Sequence, residues 1–270
     1  MSFSVLISVY HKESPLFLRE ALDSVLDQTL PPGEIVLVED GPLPQALEEV
    51  IDEYVGCYPQ LFKIIPLKEN RGLGPALTEG IKHCSFDLIA RMDSDDIARK
   101  NRFLLQMEYM ERHPEVTALG GQLMEFRDTP GDLYQLRRSP LKPGDVLRFS
   151  RKRNPMNHPS VVFRKKDILS VGAYDPIRYF EDYHLWLKLL RAGFHLANLE
   201  ETLLYFRVGN DMIGRRSGYA YARDELAFFR KAYRGKLIGK GDYLKAVLTR
   251  FPLRLAPKGI LNFIYQRKLR

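Results

Sequence analysis

Cysteine is scarce in this chain: Cys57 and Cys84 are the only two among 270 residues. Neither belongs to a CxxC pair, so a disulfide framework is excluded as the organising device. Tryptophan occurs once, as Trp186. No run of about 18 apolar residues occurs, which excludes a membrane-spanning helix. The opening residues MSFSVLISVY lack a basic stretch, an apolar stretch and a cleavage site in that order. No secretory leader is expected, and a cytoplasmic location is. Internal repeats and low-complexity segments are also missing.

What remains is the composition of a folded globular protein, 45% hydrophobic and 28% charged, which excludes a disordered or fibrous class. The formal net charge of +7 is unevenly placed. Arg207 to Arg270 carries 16 Lys+Arg against 4 Asp+Glu, or +12, and the rest carries 25 against 30, or −5. A basic tail of this kind suits anionic surfaces such as acidic lipid headgroups or diphosphates. Within it, Leu253, Leu255, Ile260, Leu261, Phe263 and Ile264 are interleaved with Arg250, Arg254, Lys258, Arg267, Lys268 and Arg270. That pattern fits an anionic membrane, or a helix packed on the main domain with a solvated basic face.

The first hundred residues alternate between two periods. Strands are expected at Phe3 to Val9, Glu34 to Val38, Phe62 to Leu67 and Asp87 to Met92, each short and rich in β-branched residues. Helices are expected at Leu16 to Gln28, Gln45 to Tyr54, Gly74 to His83 and Arg99 to Arg112. Four such units imply an α/β fold with a mostly parallel central sheet. In these sheets ligands bind beyond the carboxyl ends of the strands. Polar residues gather at those ends: Tyr10 to Glu13, Glu39-Asp40, Asn70-Arg71 and Asp93 to Asp96. The second half is less regular. Strands are expected at Val116 to Phe126, Ser160 to Phe163, His195 to Glu200 and Leu203 to Val208, and a helix at Asp182 to Ala192. Helices with a basic character follow Ser217. The domain boundaries expected are 1–210 for the main domain and 211–270 for the extension.

Asp93-Ser94-Asp95-Asp96 places three carboxylates in four residues at a strand end. Such a group repels itself unless something positive joins it. A hard divalent cation that also bridges to phosphate is the natural partner. Alternation along an extended turn puts Asp93 and Asp95 on one side. The bland reading is a solvated turn with Asp96 capping the next helix. Glu181-Asp182 opens an amphipathic helix. It complements the helix dipole, or it positions a general base for a hydroxyl group. Trp186 lines an acceptor pocket or packs beneath that helix. In Asn70-Arg71-Gly72-Leu73-Gly74 the glycines permit close backbone approach, and Arg71 suits a phosphate.

Taken in order, these segments resemble glycosyltransferase family 2, an inverting group with the GT-A fold. Ser8-Val9-Tyr10-His11-Lys12-Glu13 is similar to its opening motif, with His11 where Asn is usual. Val38-Glu39-Asp40-Gly41-Pro42 is similar to its acidic turn, with Glu39 for an Asp. Asn70-Arg71-Gly72, Asp93-Ser94-Asp95 and Glu181-Asp182 follow in the family's order. The resemblance spans about residues 1 to 210 and implies a site. Tyr10, Glu13 and Asp40 would meet the nucleotide sugar, with Tyr10 and Asp40 at the base. Arg71 would meet the base or diphosphate, and Asp93 the ribose. Asp95, with Asp93, would hold Mn²⁺ or Mg²⁺, and Asp182 would act as base beside Glu181. Asn157-His158-Pro159-Ser160 is similar to a segment of bacterial polysaccharide members, where His158 would touch acceptor or diphosphate, or serve the structure. Arg215-Arg216 would close over the diphosphate, or simply begin the tail. Processive members carry a Q/RxxRW motif that this chain lacks, which points to addition of one sugar.

The expected activity is transfer of a single hexose or N-acetylhexosamine from a nucleotide sugar of the UDP type. The acceptor would be a glycan or lipid-linked saccharide of a surface polysaccharide. A metal-dependent nucleotidyltransferase is the first rival, but Tyr10 to Glu13 stands where its glycine-rich phosphate loop would be. A nucleic-acid binder built on the basic tail is the second, and the −5 body and lack of nucleic-acid motifs weigh against it.

Overall fold

A computed structural model describes residues 2–209 and 218–255. The first strands form as their periodicity requires: β1 (Ser4–Val9), β2 (Glu34–Glu39), β3 (Phe62–Pro66) and β4 (Leu88–Asp93). They lie in the order β3-β2-β1-β4, all parallel. The crossovers are helices α1 (Pro15–Leu26), α2 (Gln45–Cys57) and α3 (Leu73–His83). Alternation along β1 decides which face each helix covers. Val5, Ile7 and Val9 pack with Leu18 and Leu22 of α1 and Val50 and Ile51 of α2. Leu6 points the other way, to Ala76, Leu77 and Ile81 of α3 and Trp186. Gly80 lets α3 lie close, since a Cβ there would come within 2.4 Å of Leu6 Cδ1.

The second half extends the sheet with mixed directions. β5 (Ile97–Ala98) and α4 (Arg102–Arg112) precede β6 (Val116–Phe126), β7 (Gln135–Arg137) and α5 (Pro143–Ser150). A single 3-10 turn at His158–Ser160 leads into β8 (Val162–Arg164) and α6 (Lys165–Ser170). Then come α7 (Glu181–Arg191) and β9 (His195–Arg207). The order continues β4-β8-β6-β9-β5, with β7 on β6. β8 is antiparallel to both β4 and β6, whereas β6 and β9 are parallel.

Several boundaries differ from those expected, each for a local reason. Residues 195–200 and 203–208 are not two strands, because β9 runs through as one, absorbing the break as register shifts against β6. Arg99 donates its backbone N–H to Leu203, so it belongs to the sheet edge, and α4 starts at Arg102. Ser160 lies in the 3-10 turn and not in a strand. Asp96 is not a helix cap: it is fully buried and accepts the backbone N–H of Arg207.

After the first 209 residues the description resumes with α8 (Gly218–Arg234) and α9 (Lys240–Leu255). Phe228, Phe229 and Tyr221 of α8 pack on Phe180, Tyr183 and Leu187 of α7. Phe180 and Phe228 stack with centroids 4.8 Å apart. Aromatic pairs add about 0.5–1.5 kcal/mol each beyond area burial. Glu225 of α8 is buried between Arg250, at 2.7 Å, and Arg254, at 2.8 Å. Two cations expected on a solvated basic face therefore serve the fold, because a buried carboxylate requires them. The expected basic and apolar residues from Lys258 onward lie outside the described residues.

Candidate active site

The ends of β1, β2 and β4 form one rim. At the end of β2, Asp40 is 3% exposed. Its two carboxylate oxygens accept the backbone N–H groups of Arg71, at 2.7 Å, and Gly72, at 3.0 Å. Asn70 Nδ2 donates to the Asp40 carbonyl at 3.0 Å. Gly41 has φ +87°, and a Cβ there would lie 2.5 Å from the Asn70 backbone nitrogen. Asp40 thus fastens the 70–72 loop and starts α3, leaving the Arg71 side chain exposed on the rim. Gly74 permits a close approach of two helices. A Cβ there would meet the Asp175 carbonyl at 3.1 Å and Glu181 Cβ at 3.2 Å. Its missing side chain lets the start of α7 come against the start of α3.

At the end of β1, Tyr10 is 38% exposed. Glu13 turns back from it. One Glu13 oxygen accepts the Ser14 N–H at 2.8 Å, and the other accepts the Ser94 hydroxyl at 2.6 Å. Glu13 therefore braces the loop after β1 against the acidic turn after β4.

In that turn, one carboxylate oxygen each from Asp93, Asp95 and Asp96 lies within 4.8 Å of the others. Burial, then the charges of Asp93 and Glu13, push Asp95 up to about 7. Burial, then Asp95 and Asp93, hold Asp96 well above the usual carboxylate range. Asp96 has one oxygen occupied by the Arg207 N–H and the other buried without a partner. Three crowded hard oxygens at a rim suit Mg²⁺ or Mn²⁺. Asp93 and Asp95 are the two that remain half-exposed to receive it.

The acid pair Glu181-Asp182 sits in the first turn of α7, with Phe180 at the N-cap position. The helix expected from Asp182 begins one residue earlier, so both acids lie inside it. Asp182 accepts Asn154 Nδ2 at 2.6 Å on one oxygen and the Tyr183 N–H at 2.7 Å on the other. Burial, then the Asp182 charge, push Glu181 up to about 7, and Arg91 opposes this. The helix dipole favours the negative charge held there.

Arg91 links the two acidic groups, and sequence reasoning missed it. It is 1% exposed, and its guanidinium contacts Asp93. Its charge acts on Asp95, Asp96, Glu181 and His158. The signal was present: an arginine inside the otherwise apolar run Leu88 to Met92 is anomalous in a buried strand. Asn154, Ser94 and Arg207 were missed as well. Arg207 donates from Nε to the Asp95 carbonyl at 2.9 Å and lies 3.9 Å from the Phe17 ring centroid.

Trp186 and His158 were each expected either at the acceptor or in the packing, and both lie in the interior. Trp186 is fully buried in the second core, so it offers no surface to an acceptor. His158 is 7% exposed, bonds Tyr174 Oη at 2.8 Å and meets Trp186 edge-on at 5.9 Å. Burial, then the Arg91 charge, hold it well below the usual histidine range. Its burial and its bond to Tyr174 favour the structural one of its two expected roles. Arg215 lies outside the described residues.

Comparison with known proteins identifies the family and the fold. The family model described as "Glycosyl transferase family 2" matches residues 4–172. The chain is 40% identical to an amylovoran biosynthesis glycosyltransferase, AmsE, of Erwinia amylovora, covering 98% of each chain. It is 37% identical to an Escherichia coli UDP-Gal:alpha-D-GlcNAc-diphosphoundecaprenol beta-1,3-galactosyltransferase, covering 99% of this chain and 96% of that one. Among solved structures, a Pyrobaculum calidifontis mannosyltransferase in complex with GDP-Man and Mn²⁺ superposes with a TM-score of 0.69. It shares 16% identity, with 98% of this chain and 75% of that one covered. The Staphylococcus aureus TarS fragment in complex with UDP-GlcNAc superposes at 0.62 with 16% identity, covering 100% of this chain and 76% of that one. The fold is GT-A, and the chain belongs to glycosyltransferase family 2.

Proposed function

We propose that this glycosyltransferase moves one hexose or N-acetylhexosamine from a nucleotide sugar, of the UDP type, to a lipid-linked saccharide of a surface polysaccharide. The observation that carries this is the convergence on Arg91 of the acidic turn at Asp93 to Asp96 and the acid pair at Glu181 and Asp182. One group faces a donor diphosphate and the other an acceptor hydroxyl. The Escherichia coli relative, named for UDP-Gal and a diphosphoundecaprenol acceptor, favours this donor and acceptor class.

Tyr10 and Arg71 stand exposed on the rim to take the nucleotide, with Asp40 and Glu13 holding their loops. Asp93 and Asp95 would hold Mn²⁺ or Mg²⁺, which when bound supplies positive charge against the leaving diphosphate. Asp182, fixed by Asn154, takes the proton from the attacking hydroxyl. Asp182 is the proton acceptor in this reading because Asn154 and the Tyr183 N–H orient its carboxylate. The acceptor oxygen, attacking opposite the leaving group, forms the new glycosidic bond as the bond from the anomeric carbon to the diphosphate oxygen breaks, so the nucleoside diphosphate leaves and the anomeric centre inverts in one displacement.

Residues 1–210 would form the catalytic domain and 211–270 a basic extension. No helix among the described residues is long and apolar enough to cross a membrane. The extension instead exposes Arg223, Arg230, Arg234 and Lys245 together with Leu244 and Leu248. Cationic and apolar side chains of this kind suit an anionic membrane surface, where a lipid-linked acceptor resides.

The test is a thermal-shift screen of nucleotide sugars with and without Mn²⁺, followed by transfer assays with the donor that binds. A bound donor raises the melting temperature by mass action. Stabilisation by a UDP-sugar plus Mn²⁺, with product of inverted configuration, is expected. A retained anomeric configuration, or no response to any nucleotide sugar, would overturn the reading.

A further inference from the structure

Two buried arginines sit next to each other in the core beneath the rim, and they are built differently. Arg102 is fully partnered: Nε donates to Gln106 Oε1 at 3.1 Å, Nη1 to Met92 Sδ at 3.1 Å and Nη2 to the Arg91 carbonyl at 2.6 Å. It is a structural arginine, tying α4 to β4. Arg91 is equally buried, yet its Nε and Nη1 have no hydrogen-bond partner among the described residues, and only Nη2 is engaged, by Asp93.

A residue kept for hydrogen-bond satisfaction would not be left so. Burying a guanidinium costs several kcal/mol unless charge compensates it. The compensation available is the acidic turn, whose three clustered carboxylates lie at the end of the same strand. Arg91 contributes charge, and that charge competes directly with any cation approaching Asp93.

We propose that Arg91 is the resident counter-cation of the acidic turn and a positioning residue. With one Asp93 oxygen held by Arg91, the turn retains too little free negative charge to hold a divalent ion alone. A nucleotide diphosphate brings both further ligands and further negative charge. Metal and donor therefore bind together, and the turn stays assembled without a metal between turnovers. This rests on the reading of the turn as the metal and donor site.

The test is Mn²⁺ binding, followed by the electron paramagnetic resonance signal of the free ion. Wild type, Arg91→Lys and Arg91→Gln are titrated alone and with UDP, GDP or dTDP. Wild type is expected to bind Mn²⁺ weakly alone and at least about tenfold more tightly with its nucleotide. Arg91→Gln should bind Mn²⁺ alone at least about tenfold more tightly than wild type, a gain on the scale of close charge pairs. Arg91→Lys keeps the charge and should stay near wild type. If Arg91→Gln does not fold, Arg91→Met carries the same test with an apolar chain of similar length.

Equal Mn²⁺ affinity in wild type with and without nucleotide overturns the proposal and leaves the metal site standing. A folded Arg91→Gln or Arg91→Met with no gain overturns it too, as does an Arg91→Lys that gains as much as Arg91→Gln. Absence of Mn²⁺ binding in every sample removes the metal reading of the turn itself, and the proposal with it.

Discussion

At the end of β2, the Asp40 carboxylate is buried with both oxygens accepting backbone N–H groups. Across β1, at the end of β4, Asp95 and Asp96 are crowded with Asp93 and displaced towards the protonated form by burial and by one another. These two acidic strand ends share a rim but not an energetic state. A satisfied carboxylate stabilises the loop that satisfies it. A crowded cluster repels itself, and Arg91 offsets that repulsion only in part, through one Asp93 oxygen. In the proposed reading, the first kind of site builds the pocket and the second acts in it.

The strongest way to break the comparison is to remove the crowded acid. Asp95→Ala should abolish metal-dependent donor binding while leaving the melting temperature unchanged or higher, because repulsion in the turn falls. Calorimetry with donor and Mn²⁺, beside a thermal melt, checks both halves. Undiminished Mn²⁺-dependent turnover would take Asp95 out of the site. A large drop in melting temperature would place it with Asp40 instead.

Within α7 the same division occurs between neighbours. Asp182 has both oxygens engaged, by Asn154 and by the Tyr183 N–H, and Glu181 is pushed up to about 7 by burial and then by Asp182. Here the engaged acid is the expected base, since those two bonds orient it. Asp182→Asn should lower transfer by at least about a hundredfold with donor affinity kept, the usual scale for a general base. Glu181→Gln should cost less. Transfer at near the normal rate in Asp182→Asn removes it from the mechanism, and lost donor binding makes it a nucleotide or metal ligand.

The first four strands were legible because each is a short, mostly apolar run that gives way to polar residues. The sequence also drew Asp93, Asp95 and Asp182 out as candidates, since each belongs to a short local cluster. It did not reveal the braces. Ser94 reaches Glu13 across 81 positions, Asn154 reaches Asp182 across 28, and Arg207 reaches Asp96 across 111. Such pairs are set by tertiary approach, which no local period encodes. For Trp186 and His158 the sequence left two readings open for a related reason. Trp186 and His158 are residue types common in binding pockets, but both fall on the buried face where α7 and the 3-10 turn meet. The tail's Arg250 and Arg254 looked like surface charge because their partner, Glu225, lies a full helix away.

The smallest effect is expected at Asp40, and it sharpens the comparison most. The Asp40 carboxylate accepts one N–H on each oxygen. An asparagine presents one oxygen and one amide nitrogen to the same two donors, so one bond is replaced by opposed N–H groups and the charge is lost. Hydrogen bonds to charged groups contribute about 1.5–3 kcal/mol, so Asp40→Asn should destabilise by about that amount. For a chain of this size this is a fall of roughly 2–4 °C in melting temperature per kcal/mol. The 70–72 loop would loosen at its junction with Gly41, where Asn70 already lies as close as the backbone permits. Donor KM should rise, by less than about tenfold, because Arg71 keeps its side chain but loses its anchored backbone. The rate at saturating donor should hold, since Asp40 meets no reacting atom in this reading. A thermal melt and a kcat against KM split measure the two effects in one preparation. An unchanged melt would mean that the two N–H bonds do not strap the loop. A hundredfold fall in kcat would move Asp40 from the group of acids that build the pocket to the group that acts in it.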